Sequence, residues 1–190
     1  MKPFTSLLSV LFLSLSLLPA DEIEDRIKVI RADYNATESA KDLTSKTIEI
    51  DDGGIVAKLT RYENAGELVK LVYTSGSDHG GATDYFYFKN GELYFIYQSQ
   101  GYWSFDPKGG EGATIDTGRE QRLYFNGDQV IRHLAKEVKT SDPNAVSKLL
   151  SETENQSIHD PEAATGLRNA AERLKKIRTE AELERYLYEE

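Results

Sequence analysis

The chain has 190 residues, a formal net charge of −9 at pH 7 and no cysteine. The lack of cysteine excludes disulfide bonds, thiol catalysis, cysteine-based zinc sites and a lipidated N-terminal cysteine. The acidic balance argues against non-specific binding to nucleic acid or to anionic membranes, so we expect no nucleic-acid partner.

Residues 1–20 have the pattern of an export signal. Lys2 gives a basic start, residues 7–18 form a leucine-rich run broken only by serines, and Pro19-Ala20 precedes an acidic stretch. An uncleaved membrane anchor is the alternative, but the run is shorter than the roughly 20 apolar residues that span a bilayer. We expect a cleaved signal and a secreted or periplasmic protein with no membrane association afterwards. Because residues 1–20 contain one Lys and no acid, cleavage changes the net charge from −9 to −10.

Residues 22–39 carry apolar side chains at the spacing of one helix face. Ile23, Ile27, Ile30 and Tyr34 follow one another at intervals of four, three and four residues, with charged residues between them. This period predicts an amphipathic helix at the start of the mature chain.

The period changes from helical to two over residues 47–134, which is typical of strands. Residues 75–81 and 100–118 are rich in Gly and polar residues and are predicted as loops. Short turns between the strands predict an antiparallel meander of six or seven strands. With the preceding helix, this sheet makes a domain of residues 21–140.

Three segments share one plan: RYENAGELVKLVY, YFYFKNGELYFIY and RLYFNGDQVIRHL. The combination of a Tyr, an Asn-Gly turn and a following Leu resembles the repeats of MORN-like hairpin proteins. The spacing here is irregular, and any tight hairpin favours Asn-Gly because both turn residues need a positive φ. We therefore interpret the repeat as convergent hairpin chemistry.

Residues 141–190 are predicted to be helical again. A short helix follows Asp142-Pro143, and a longer one begins at Asp160-Pro161 and runs to about Leu187. The whole pattern predicts an α+β fold with an N-terminal helix, a curved sheet or half-barrel, and a C-terminal helical segment. A small closed barrel also fits the pattern.

Aromatic residues concentrate in the hairpin of residues 85–97, where seven of thirteen side chains are aromatic. If side chains alternate strictly on both sides of Asn90-Gly91, one face of the sheet belongs to the core and the other is rich in tyrosine. The predicted core face carries Phe86, Phe88, Leu93 and Phe95, and in the last hairpin Leu123, Phe125, Val130 and Leu134. The predicted tyrosine face carries Tyr85, Tyr87, Tyr94 and Ile96, and in the last hairpin Arg122, Tyr124, Ile131 and His133.

Catalytic motifs are missing from the sequence. There is no G-x-S-x-G, no H-E-x-x-H and no P-loop, and the three histidines are widely separated. Asp78, His79 and Asp84 could ligate a metal, as could the acids of residues 100–118, but neither set matches a known ligand pattern. We predict no catalytic residue, no metal and no cofactor.

An exported, non-enzymatic binding or interaction domain is the function that these features favour. Trp103 with its aromatic neighbours is typical of a binding surface, and tyrosine rings suit a peptide, glycan, lipid or protein partner. The alternatives are a cell-envelope hydrolase using His133 and Glu120, and an assembly module using the C-terminal helix. A purely structural alternative is that the tyrosines pack beneath a helix and bind no ligand. The predicted ligand-binding residues are Tyr85, Tyr87, Tyr94, Trp103, Tyr124 and His133.

Overall fold

A computed structural model describes residues 19–188 of the chain. The predicted export signal therefore lies outside the described residues, apart from Pro19 and Ala20. No helix between residues 19 and 188 is long and apolar enough to cross a bilayer. The elements are α1 (Ala20–Ser39), β1 (Thr44–Asp51), β2 (Val56–Asn64), β3 (Glu67–Ser77), β4 (Gly80–Lys89), β5 (Glu92–Phe105), β6 (Thr114–Asn126), β7 (Gln129–Thr140), a 3₁₀ turn (Pro143–Ala145), α2 (Val146–Glu152), β8 (Gln156–Ser157), α3 (Pro161–Leu174) and α4 (Glu180–Tyr188).

The strands form one antiparallel sheet in the order of the sequence, from β1 to β8. This confirms the α+β meander, with eight strands where six or seven were predicted. Both predicted loops were largely wrong. β3 and β4 take up most of residues 75–81, so that only Asp78 and His79 remain as a turn, and β5 and β6 leave only residues 106–113 unpaired.

A row of glycines explains why these segments look like loops in the sequence. Gly76, Gly81, Gly101 and Gly118 pair with one another across β3, β4, β5 and β6. A Cβ at Gly118 would lie 2.5 Å from the Cγ1 atom of Val146, so glycine is what lets α2 approach the sheet. Glycine lowers strand propensity, yet a Cβ would also clash at Gly81, where it would lie 2.7 Å from the Ser75 carbonyl oxygen; of the four, only Gly101 has open space around it.

The three similar segments fold into three hairpins with the same irregularity. In each hairpin the third residue after the turn is a β-bulge: Val69, Tyr94 and Ile131 have no pairing partner. Positive φ at both residues of Ala65-Gly66 and Asn90-Gly91 matches the tight turns that such hairpins need. The bulge places two consecutive side chains on one face and shifts the alternation of everything beyond it.

Because of this shift, the predicted assignment of side chains to the two faces of the sheet is partly wrong. Phe95 and Leu134 lie with the tyrosines, whereas Ile96 lies in the opposite core. His133 pairs with the core residue Leu123 and faces the same side as that residue. Strict alternation assumed one partner per residue, and each bulge adds a residue that has none.

Different helices cover the two faces of the sheet. α1 packs on the aromatic face, and α3 and α4 pack on the opposite, core face. Each large apolar side chain buried in this way stabilises the fold by about 1.5–3 kcal/mol. The core face receives Ala164, Leu167, Ala171, Leu174, Ile177 and Leu183 from the C-terminal segment.

The C-terminal segment contains two helices where one was predicted beyond Asp160. α3 ends at Leu174 and α4 begins at Glu180. Thr179 and Glu182 form a capping box: Thr179 N–H donates to the Glu182 carboxylate (3.1 Å), and Glu182 N–H donates to Thr179 Oγ1 (3.3 Å). This Thr-x-x-Glu spacing is visible in the sequence and marks a new helix start.

Candidate functional site

Aromatic and basic side chains form two neighbouring rows across the face beneath α1. The register of β2 to β7 aligns them because residues opposite each other on paired strands share a face. The first row consists of Tyr62, Lys70, Tyr87, Phe95, Tyr124 and Arg132. The second row includes Tyr85, Tyr97, Arg122 and Leu134.

α1 lies over the first row. Ile27 and Ile30 are buried against it, and the Tyr34 ring meets the Tyr87 and Phe95 rings edge-on, with centroids 5.1 and 5.5 Å apart. Three of the predicted ligand-binding tyrosines are covered by this packing. Tyr87, Tyr94 and Tyr124 are 2%, 4% and 5% exposed.

Ion pairs attach α1 to the sheet along its length. Acidic side chains of the helix meet basic side chains of the strands at three places: Glu24 with Arg132, Asp33 with Lys89 (2.6 Å) and Glu38 with Lys70 (2.6 Å). All three pairs are at least partly solvated, so each contributes only modestly to stability.

Glu38 holds the C-terminal end of α1 by a second contact. The Tyr87 hydroxyl donates to the Glu38 carboxylate at 3.1 Å. Burial, with the nearby negative charge of Glu38, raises the pKa of Tyr87, so the phenol stays protonated and remains a donor. The Lys70 ammonium lies 5.3–5.5 Å from the ring centroids of Tyr62, Tyr85 and Tyr87, within cation–π range.

A cavity of about 440 Å³ opens where α1 stops covering the sheet, and we call it the α1 cavity. Its floor is aromatic and comes from the strands: Phe95, Tyr97 and Tyr124. Its other wall comes from one side of α1: Ile30, Arg31, Tyr34 and Asn35. Arg122 lies beside the floor and is the second cation of the cavity.

The two arginines of the α1 cavity differ in their contacts. The Arg122 guanidinium lies 4.8 Å from the Tyr97 ring centroid and donates to Glu120 (2.9 Å) and Asn155 (2.8 Å), which fixes its position. Arg31 is exposed, and within residues 19–188 it makes no hydrogen bond or ion pair. Its guanidinium is therefore available to a ligand.

Tyr85 and Trp103 lie at different distances from this cavity. Tyr85 is half-buried and stacks on Tyr97, with ring centroids 5.5 Å apart, so it borders the cavity. Trp103 lies on β5 six residues beyond Tyr97, which corresponds to about 20 Å at the usual strand rise. Its indole N–H donates to the Asp78 carbonyl (2.9 Å), and its ring packs against His79 and Phe105.

His133 is separated from the tyrosines by the sheet itself. It is 6% exposed on the core face, with Nε2 2.9 Å from the Gln121 side-chain oxygen. Glu120 lies on the aromatic face, where Arg122 and Lys136 bind its carboxylate. The two members of the predicted acid–base pair therefore do not meet.

Of the residues that line the α1 cavity, the sequence interpretation named only Tyr124 as ligand-binding. It missed the other seven: Ile30, Arg31, Tyr34, Asn35, Phe95, Tyr97 and Arg122. Tyr97 and Arg122 are direct cross-strand partners, but the β5–β6 register that pairs them cannot be read from the spacing of either strand. Phe95 was assigned to the opposite face because of the bulge. Within the part of the chain that the structure describes, no group of three or more His, Asp or Glu side chains could hold a metal ion.

No protein-family model, no curated protein and no solved structure matches this chain. The functional assignment therefore rests on the chemistry of the α1 cavity and of the surfaces around it.

Proposed function

We propose that this protein is an exported, non-enzymatic binding domain whose α1 cavity holds a small anionic molecule with an aromatic or aliphatic body. One observation carries the proposal: a cavity with an aromatic floor has an unpaired guanidinium at its edge. Residues 1–20 would direct the domain out of the cytoplasm, where it would meet this ligand.

The size and floor of the α1 cavity suit a compact apolar body. A volume of about 440 Å³ lies within the range of ordinary small-molecule sites, which run from about 300 to 1,000 Å³. The Phe95, Tyr97 and Tyr124 rings offer area for stacking, and Asn35 and the Tyr34 hydroxyl can form hydrogen bonds.

The charge around the cavity favours an anionic group on the ligand. The chain as a whole carries −9, so its overall field repels anions. Arg31 and Arg122 reverse that sign locally, and Arg31 forms no ion pair within residues 19–188, although Glu24, two turns earlier in α1, interacts with it electrostatically. A carboxylate, sulfonate or phosphate could therefore form a charge-assisted hydrogen bond with Arg31.

Binding without catalysis fits the ionisable groups of the α1 cavity. Its lining contains no His, Asp or Glu among residues 19–188. Burial raises the pKa of Tyr34, and burial with the Glu120 charge raises the pKa of Tyr97 to about 12. Neither phenol titrates near neutral pH, which general acid–base catalysis requires.

The end of the sheet near Trp103 supports a second candidate function, contact with a protein partner. Phe105 is 70% exposed and Tyr102 is 46% exposed at this end, beside the half-buried Trp103. Exposed aromatic residues around a Trp are typical of protein interaction surfaces. This surface would act independently of the α1 cavity because about 20 Å of strand separates them.

Fluorescence titration with anilinonaphthalene sulfonate (ANS), which joins an aromatic body to a sulfonate, tests the first proposal. We expect saturable binding at one site per chain, and Arg31→Ala should weaken it about tenfold because one charge-assisted hydrogen bond is lost. Lys28→Ala is the matched control, since it removes a cation from the same helix outside the cavity. Equal effects of the two variants, or no saturable binding by natively folded protein, would contradict the proposal.

A further inference from the structure

A chain of buried hydrogen bonds crosses four strands on the core face. Gln98 Nε2 donates to Asp84 Oδ1 (2.6 Å), Gln121 Nε2 donates to Gln98 Oε1 (2.5 Å), and His133 Nε2 lies 2.9 Å from Gln121 Oε1. All four side chains are buried. Buried polar groups without such partners would be costly, so the chain is strongly held.

The carboxylate at one end sets the direction of the whole chain. An ionised Asp84 can only accept, so Gln98 must present its NH₂ group to it and its oxygen to the next residue. Gln121 is oriented in the same way, and its oxygen faces His133. The imidazole must therefore carry its proton on Nε2, which leaves a lone pair on Nδ1.

His133 lines a second cavity, of about 400 Å³, where β7 meets the start of α3; we call it the α3 cavity. Because Nε2 is bonded to Gln121, we infer that Nδ1 is the ring nitrogen that faces this cavity. No hydrogen bond reaches Nδ1 from residues 19–188, and the atom is not sealed from solvent. Burial lowers the pKa of His133, although the Asp160 carboxylate opposes this shift, so the ring stays neutral near pH 7.

Charged groups around the α3 cavity already have partners. Arg168 pairs with Asp128, Arg132 pairs with Glu24, and Asp160 accepts from the Ala163 N–H at 2.9 Å. Asp160 is the one charged side chain among the described lining residues that has no ion pair, and its negative charge disfavours an anionic ligand.

What the α3 cavity offers is a mixture of donors and acceptors. The arginine N–H groups donate, the His133 Nδ1 lone pair and the Asp160 carboxylate accept, and the Ser157 hydroxyl does both. Hydroxyl groups match such a surface because each can donate and accept at once.

We propose that the α3 cavity binds a small uncharged polyhydroxylated molecule of the sugar class, with His133 Nδ1 accepting a hydrogen bond from one hydroxyl. Asp84 acts as a positioning residue, because it fixes the imidazole tautomer through Gln98 and Gln121 from the far end of the chain. This site lies on the opposite face of the sheet from the α1 cavity and does not depend on the function proposed there.

Long-range ¹H–¹⁵N spectra of the imidazoles test the positioning role, since the chain contains only three histidines. Above neutral pH we expect His133 to be almost entirely the Nε2–H tautomer. Asp84→Asn should produce a mixture of tautomers, because an amide can face either way and no longer sets the direction. Asp78→Asn, in an exposed turn, is the control and should change nothing. An Nδ1–H tautomer in the unmodified protein would overturn the proposal.

The same spectra, recorded while glucose, galactose or myo-inositol is added at millimolar concentrations, test binding. We expect at least one of them to shift the Nδ1 resonance of His133 saturably, and inorganic phosphate to leave it unchanged. Asp84→Asn should weaken this binding up to about tenfold, as expected for one impaired hydrogen bond. A response to phosphate alone, or to none of the four compounds, would overturn the proposal. ANS binding in the α1 cavity is measured separately by fluorescence, and we expect Asp84→Asn to leave it unchanged.

Discussion

The two faces of this sheet are covered in different ways. On the core face, α3 and α4 bury Ala171, Leu174 and Leu183 completely in an apolar cluster. On the aromatic face, α1 covers phenol rings, is attached by ion pairs, and leaves a cavity open beside Tyr97. Close apolar packing provides stability, whereas partly hydrated contacts leave room for a ligand. We therefore expect the core face to determine stability and the aromatic face to determine binding.

Truncation of one buried side chain on each face should show this difference most strongly. Leu174→Ala should cost about 2–5 kcal/mol because it leaves a cavity in a fully packed cluster. Ile30→Ala should cost about 2 kcal/mol or less, since Ile30 already borders the α1 cavity and water can enter there. Chemical denaturation measures both values. A larger loss for Ile30→Ala would contradict the comparison.

Asp84 is the polar exception on the core face, and its effect depends on pH. Burial raises its pKa from 3.8 to about 6, so the folded protein binds the proton more tightly than the unfolded chain. The contribution of Asp84 to stability is therefore greatest below about pH 4 and is lost as the pH rises through about 6. Relative to the unmodified protein, Asp84→Asn should gain up to about 3 kcal/mol between pH 4 and pH 7.

Denaturation of both proteins across this pH range checks that gain. Asp78→Asn serves as the control, because it makes the same change in an exposed turn. A stability difference between Asp84→Asn and the unmodified protein that does not change with pH would show that the Asp84 carboxylate is not held in this way.

The attachment of α1 should depend on one ion pair more than on the others. Glu38→Gln should cost about 1–2 kcal/mol, because it weakens the contacts of both the largely buried Lys70 and the Tyr87 hydroxyl. Glu24→Gln should cost less than Glu38→Gln, since the pair of Glu24 with Arg132 is more exposed. Hydrogen exchange of α1 amides measures the local effect. Equal protection in the two variants would refute the special role of Glu38.

The smallest effect is expected at the end of the sheet near Trp103. Phe105→Ser should change stability by less than about 0.5 kcal/mol, because the ring is mostly exposed and buries little area. Thermal unfolding monitored by circular dichroism measures this. A loss comparable to that of Leu174→Ala would place Phe105 in a core and remove it from the proposed interaction surface.

The sequence predicts the elements of this fold well where the pattern is local. The spacing of Ile23, Ile27, Ile30 and Tyr34 predicts α1, and the turn residues predict the order of the hairpins. Asp160-Pro161 predicts the start of α3 because side-chain capping and a fixed φ act within one turn. Glycine-rich pairing across four strands is not local, so β3 to β6 are longer than the pattern indicates.

The candidate site is harder to predict because a single bulged residue in a strand changes which side chains reach the site. The bulge at Tyr94 moves Phe95 to the aromatic face and Ile96 to the core, and the bulge at Ile131 moves His133 away from the tyrosines. Nothing in either segment distinguishes a bulged residue from a paired one. The recurrence of the same plan in three hairpins is the signal that links them, since all three bulges occupy one position of the repeat.

Intermolecular NOEs between bound ANS and the protein test most directly whether the aromatic face is the binding face. The naphthyl protons should show contacts with the ring protons of Tyr34, Tyr97 and Tyr124, which surround the α1 cavity. These contacts should weaken in Arg31→Ala and persist in Lys28→Ala. Contacts with Trp103 and Phe105 in their place, or with none of these rings at saturating ANS, would contradict the assignment of binding to the α1 cavity.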